Sequence, residues 1–141
     1  MKLSTKGRYG LRALVDLAVH SENGTVSIQS IANRQNISVS YLEQLVGKMR
    51  RAGIVTSIRG AAGGYRLAKP PSTISVGDVL RALEGDLEAV NCPGNDEVPA
   101  CEAAPTCVTK YVWKRINDSI SQAVDTIMIE ELVQESKKLN G

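Results

Sequence analysis

The chain's only three cysteines, Cys92, Cys101 and Cys107, stand close together, with eight residues between the first two and five between the last two. An odd number of thiols cannot all pair within one chain, which turns attention to metal or redox chemistry. Thiolates are soft ligands, and three converging from one segment suit a soft metal ion or an iron-sulfur cluster better than catalysis. A zinc site usually includes a CxxC pair, and none is present. Spacing alone leaves zinc, a cluster, buried thiols and a disulfide with one thiol over all open. The neighbouring acids Asp96, Glu97 and Glu102 do not favour low thiol pKa values without a cation. The single histidine, His20, lies on a remote helical stretch, and no base and orienting group accompany the thiols. The chain is therefore read as a non-enzyme.

Charge is the second chemical feature. Residues 1 to 70 carry 11 Lys and Arg against three acids (Asp16, Glu22, Glu43), whereas residues 71 to 141 carry six against 12, so a net charge of +2 conceals a basic half and an acidic half. A basic half in a small protein points to a polyanion, with nucleic acid ahead of membrane. Aromatic residues make up 4% of the chain and Phe is absent, which disfavours single-strand binding on stacked bases. At 141 residues, with 43% hydrophobic and 23% charged residues, the chain fits one compact domain or a small domain with an oligomerisation appendage, and excludes a large multidomain enzyme. No apolar run approaches the roughly 18 to 20 residues of a membrane helix, and MKLSTKGRYG lacks the apolar core of a secretory signal, so a cytoplasmic location is expected.

The elements that must position these groups follow from periodicity and caps. Leu11, Leu14, Val15, Leu17 and Ala18 predict a first helix from Lys6 to about Ser21, capped by Ser4 or Thr5. Ser27 caps a short helix with Ile28, Ile31 and Ala32 inward. Ser38 or Ser40 opens a third over about 39 to 52, with Ser40 to Glu43 at capping-box spacing and Leu42, Leu45, Val46 and Met49 facing the core. IVTSIR (54 to 59) and YRLA (65 to 68), joined by a segment with three glycines in five positions, predict a two-stranded ribbon with an exposed tip. Helix, helix-turn-helix and hairpin in this order describe a winged helix, whose third helix enters the major groove while the hairpin lies along the adjacent backbone or minor groove.

Pro70 and Pro71 mark a boundary, followed by a short helix from Val76 to about Glu84 capped by Ser75 and a loop over 85 to 106. From Cys107 to about Thr126, Val112, Trp113, Ile116, Ile120, Ala123 and Ile127 form an apolar stripe along a helix of ~30 Å. The economical partner for that stripe is the same helix of a second copy, so a twofold homodimer is expected, with packing inside one chain as the alternative. The tail IEELVQESKKLN forms a last short helix. The expected fold class is mainly α with a small β-wing. Residues 1-70 form a winged helix-turn-helix DNA-binding domain, 71-106 a linker helix and cluster-binding loop, and 107-141 a dimerisation helix and tail.

MKLSTKGRYGLRALVDLA, SVSYLEQLVGKMRRAGIV, SIRGAAGGYRLAK, ISVGDVLRALEG and the trio Cys92, Cys101 and Cys107 before a Trp-bearing helix together resemble the winged-helix family of iron-sulfur cluster regulators of the IscR type, which also contains NsrR, CymR and RirA. The resemblance covers essentially the whole chain, with wing and cysteine loop in register. It implies a homodimeric transcription factor, expected to act as a repressor, that holds a 2Fe-2S cluster and regulates cluster-assembly genes. The alternative is a cluster-free regulator sensing through thiols, zinc or a protein partner; CymR-like chains generally lack the three cysteines.

One departure matters. The best-known cluster regulators of this type place a histidine three residues after the last cysteine, and here Lys110 stands there, an ammonium with no lone pair to give. A carboxylate is the expected fourth ligand, as in relatives of this family. Glu43, the only acid between Glu22 and Asp78, lies on the helix that faces DNA. Three roles are open to it: ligating the cluster, accepting from a cytosine amino group, or acting as a capping-box acid. Asp96, Glu97 and Glu102 are the rival ligands. The resemblance points to Ser38, Ser40, Tyr41 and Gln44 for DNA contact. Arg59 suits a narrow minor groove, and Lys6, Lys48, Arg50 and Arg51 suit phosphates.

Overall fold

The computed structural model describes residues 3–89 and 107–140. Among these residues six α-helices and one two-stranded sheet run in the order α1 (Thr5–His20), α2 (Ile28–Gln35), α3 (Val39–Arg51), β1 (Val55–Ile58), β2 (Gly64–Leu67), α4 (Val76–Glu84), α5 (Lys110–Thr126) and α6 (Ile129–Asn140), with a 3-10 turn at Pro71–Thr73. This is the mainly helical, winged architecture expected from the sequence.

Each early helix begins at a hydroxyl that takes up an orphan amide. Ser4 accepts from the Lys6 amide, Ser27 from Ser30, Ser38 from Tyr41 and Ser75 from Asp78. Ser75 and Asp78 complete a capping box. At the third helix the cap is Ser38 rather than Ser40, which places Glu43 in the second turn and removes its capping-box role. α2 ends on Asn36 in the left-handed conformation, φ 55°, which redirects the chain into α3 and closes the helix-turn-helix.

The core is one cluster to which most elements contribute. Leu14 and Leu17 of α1, Ile31 of α2, Leu42, Leu45 and Met49 of α3, Val79 and Leu83 of α4, and Ile129 of α6 are all fully buried. Burial of such side chains contributes about 1.5–3 kcal/mol each. α6 packs back on α1 and returns Ile129 and Val133 to the core. That return was not foreseen; the tail was expected as a helix, without a packing partner.

β1 and β2 pair antiparallel, with Val55 opposite Leu67 and Ile58 opposite Gly64. A bridge between Val26 and Tyr65 ties the wing to the segment between α1 and α2, and the Thr25 hydroxyl donates to the Ala62 carbonyl at 2.8 Å. Gly60 and Gly64 take φ of +113° and +157°, values at which a side chain would be strained.

α5 differs from the other helices in burying no residue completely. Ile120 and Val124 rest against the core, while Tyr111, Val112, Ile116 and Ile127 remain exposed. Val112, Ile116, Ile120 and Ala123 of the anticipated stripe line one shallow surface groove, with Trp113 only half-buried. The helix starts at Lys110, three residues later than the cysteine from which it was expected to run.

Candidate nucleic-acid interface and cysteine site

With Leu42, Leu45, Val46 and Met49 of α3 turned into the core, the positions at helical spacing between them face outward. Ser40, Glu43, Gln44, Arg50 and Arg51 are exposed, and Lys48 is half-buried. Ser38 lies at the positive end of the helix. Its oxygen accepts the Tyr41 amide at 3.3 Å, which leaves the hydroxyl proton free to donate to a phosphate.

Tyr41 is held from behind. Its hydroxyl lies 3.0 Å from the Thr5 hydroxyl, and its ring meets Tyr9 edge to face with centroids 6.4 Å apart. The first turn of α3 is thereby fixed to the first turns of α1. Thr5 entered the sequence reading only as a possible helix cap, because its partner lies 36 residues away.

Pairing decides which cations are available to an anion. Arg34 is committed: it forks onto the buried Asp16 carboxylate with contacts of 2.9 and 2.7 Å, and that hydrogen bond raises its pKa. Gln35 donates to the same carboxylate at 2.8 Å. Arg12 donates to the Gln35 carbonyl at 3.1 Å and sits over the Tyr9 ring at 5.4 Å. By contrast Lys6, Lys48, Arg50, Arg51 and Arg59 make no ion pair among the described residues. Arg66, exposed on β2, shares this condition and adds a wing cation the sequence reading did not single out; the alternation of Tyr65, Arg66 and Leu67 was the available signal. Lys48, Arg50 and Arg51 also complement the carboxyl end of the α3 dipole.

Glu43 is exposed and has no hydrogen-bonding or ion-pair partner among the described residues. Nor does any group of three or more His, Cys, Asp or Glu side chains there converge in a way that could hold a metal ion. Cys92, Cys101, Asp96, Glu97 and Glu102 lie outside the described residues.

Cys107 lies inside them, half-buried at the foot of α5. Its Sγ is 3.0 Å from the Thr109 hydroxyl, and Thr109, the cap residue of α5, makes no side-chain hydrogen bond to the helix backbone. The Thr109 hydroxyl, then the amides of Lys110 and Thr109, hold the thiol below its ordinary pKa. A hydroxyl and a helix amino terminus aimed at sulfur favour the thiolate, the form that binds a soft metal. The donor chemistry at Cys107 therefore fits a thiolate-bound metal group. Lys110, three residues on, supplies its amide to this arrangement while its ammonium offers no lone pair.

A helix-turn-helix backed by one core, a hairpin wing and an outward face of unpaired cations define a DNA-binding transcriptional regulator. The family described as Rrf2, iron-dependent transcriptional regulator, matches residues 3–135, and the chain belongs to that family. The HTH-type transcriptional regulator IscR of Aliivibrio salmonicida is 41% identical over 137 residues, covering 97% of this chain and 80% of that protein. Among solved structures, IscR of T. potens superposes with a TM-score of 0.79 at 41% identity, covering 100% of this chain and 92% of that one. CymR, the global cysteine regulator of B. subtilis, gives the same TM-score of 0.79 and 41% identity over 96% of this chain and 98% of that one. These relatives are regulators, not enzymes. Among the described residues no helix is long and apolar enough to cross a membrane.

Proposed function

We propose that the chain is a cluster-sensing regulator of iron-sulfur cluster biogenesis genes, acting in the cytoplasm as a homodimer and chiefly as a repressor. The observation that carries this reading is the placement of Cys107 at the foot of α5 with its Sγ 3.0 Å from the Thr109 hydroxyl, in a chain that also holds Cys92 and Cys101 a short distance upstream. Cys92, Cys101 and Cys107 would hold a 2Fe-2S cluster. When bound there, such a group supplies a centre that oxidants, nitric oxide or iron shortage alter.

The chain's own residues divide the remaining work. Residues 1-70 bind the operator, 71-106 carry the linker helix and cysteine loop, and 107-141 join two copies through the exposed face of α5. Ser38, Ser40, Tyr41 and Gln44 meet bases and sugar-phosphate at the start of α3. Lys6, Lys48, Arg50 and Arg51 fix position on phosphates, and Arg59 enters the minor groove from the wing.

Glu43 is assigned to base reading, as an acceptor for a cytosine amino group. Its exposure beside Ser40 and Gln44 supports that role. For the fourth cluster ligand the candidate carboxylates are Glu43 itself and its rivals Asp96, Glu97 and Glu102 of the cysteine loop, and an unchanged cluster spectrum in Glu43→Gln would remove Glu43 from that set. Isolation without oxygen, with iron and sulfide measured per chain, tests the proposal. Two irons and two sulfides per chain with visible charge-transfer absorption are expected. Colourless, iron-free protein after reconstitution would overturn cluster sensing and favour thiol, zinc or partner sensing.

A further inference from the structure

α5 lies against the body along its second half, where Ile120 and Val124 rest on the core and the Ala89 amide donates to Asn117 at 2.7 Å, and a compact joint anchors its end. Arg81 of α4 forks onto Asp125 near the end of α5, Nη1 to Oδ1 at 2.5 Å and Nη2 to Oδ2 at 3.1 Å. Two backbone hydrogen bonds flank the pair: Val76 donates to the Ile127 carbonyl and Ile129 to the Ile74 carbonyl, each at 2.8 Å. Gly77 makes the approach possible, because a Cβ there would lie 2.0 Å from Asp125 Oδ1 and 2.7 Å from Arg81 Nη1.

Both charged side chains remain about two-fifths exposed, at 40% and 43%, so the pair contributes little to stability. What a planar two-point fork supplies is direction. α5 has 17 residues and spans roughly 25 Å, so a reorientation of about 10° about its Asp125 end, with the contacts of Asn117, Ile120 and Val124 adjusting to it, displaces its far end by about 4 Å. That displacement is comparable to the ~3.4 Å rise of one base pair.

We propose that Gly77, Arg81 and Asp125 are positioning residues that fix the angle at which α5 leaves the winged-helix body, and thereby set the half-site spacing a dimer accepts. The proposal rests on the α5-mediated dimer of the preceding reading. Operators bound by symmetric helix-turn-helix dimers have half-sites spaced by the protein's own geometry, and this joint is where that geometry is adjusted in a single chain.

The test uses the full chain and a palindromic duplex selected from a random-sequence pool, rebuilt with its spacer shortened or lengthened by one base pair, together with a single half-site duplex. Arg81→Lys keeps the charge but removes the fork, Asp125→Asn removes the charge, and Gly77→Ala displaces the Asp125 carboxylate. The wild-type chain is expected to prefer one spacer by tenfold or more. All three variants are expected to stay dimeric, to bind the half-site within about twofold of wild type, and to lose at least fivefold of the spacer preference. Dimeric variants with the wild-type spacer ratio would overturn the proposal, as would variants whose half-site binding collapses, since the joint would then serve folding. A wild-type chain that sediments as a monomer at all concentrations would instead overturn the dimer reading, and the spacing role with it.

Discussion

The hydroxyl of Tyr41 lies 3.0 Å from that of Thr5, joining the first turn of the DNA-facing helix to the first turn of α1. The contact spans 36 residues and secures a side chain that also stands at the edge of the candidate interface. Tyr41→Phe keeps the ring against Tyr9 and removes the hydrogen bond. A stability loss of about 0.5–1 kcal/mol is expected, with a double-mutant cycle against Thr5→Ala showing coupling of similar size. Denaturant titration measures both. Unchanged stability with strongly weakened operator binding would show instead that the hydroxyl is used on DNA.

Substituting Glu43 with Gln changes base reading. Discrimination at one base position is expected to fall by about 1–3 kcal/mol, and non-specific affinity to rise, because a negative charge leaves the DNA face. The visible spectrum of reconstituted protein is expected to stay the same. A shifted or bleached spectrum would return Glu43 to the role of fourth ligand.

The division of cations into free and committed is open to measurement. Arg50→Ala and Arg51→Ala are each expected to reduce the salt dependence of operator binding by about 0.9 in the log-log slope, weakening all sequences alike. Arg34→Ala is expected to leave that slope alone and lower stability, because it leaves the buried Asp16 carboxylate without its fork. Salt titrations beside thermal melts distinguish the two behaviours. A slope change in Arg34→Ala of the same size would contradict the assignment.

Much of this architecture was legible because its signals are local. Ser4, Ser27 and Ser75 cap where their side chains can reach amides two or three residues on, and the spacing of Leu42, Leu45, Val46 and Met49 fixes the buried face of α3. The choice between Ser38 and Ser40 was not legible, since either start buries the same four residues and Ser40 with Glu43 imitates a capping box. Long-range relations were hidden for a simpler reason. Nothing near Arg81 announces Asp125, 44 residues away, and nothing near Asp16 announces Arg34. The Thr109 hydroxyl beside Cys107 was within reach of sequence reading, but Thr109 reads first as an ordinary helix cap.

Glu84 gives a pH dependence with a definite sign. Burial pushes its carboxyl up, but hydrogen bonds from the Ser4 hydroxyl and amide outweigh that and leave its pKa below the ordinary value. A depressed carboxylate contributes stability that is complete above the unfolded value of about 4.3 and is lost as pH falls through the folded one. Glu84→Gln is therefore expected to melt below wild type at pH 6, with the difference shrinking under pH 4. A difference that stays constant across this range would contradict the role of the charge.

The most direct test of the whole account compares one operator duplex bound by cluster-loaded and cluster-free protein, side by side without oxygen. The two forms are expected to differ in affinity by tenfold or more, a coupling of about 1.4 kcal/mol between the cysteine site and the DNA face. Equal affinities, with two irons present per chain in the loaded form, would contradict sensing through the cluster and leave a DNA-binding protein that merely carries one.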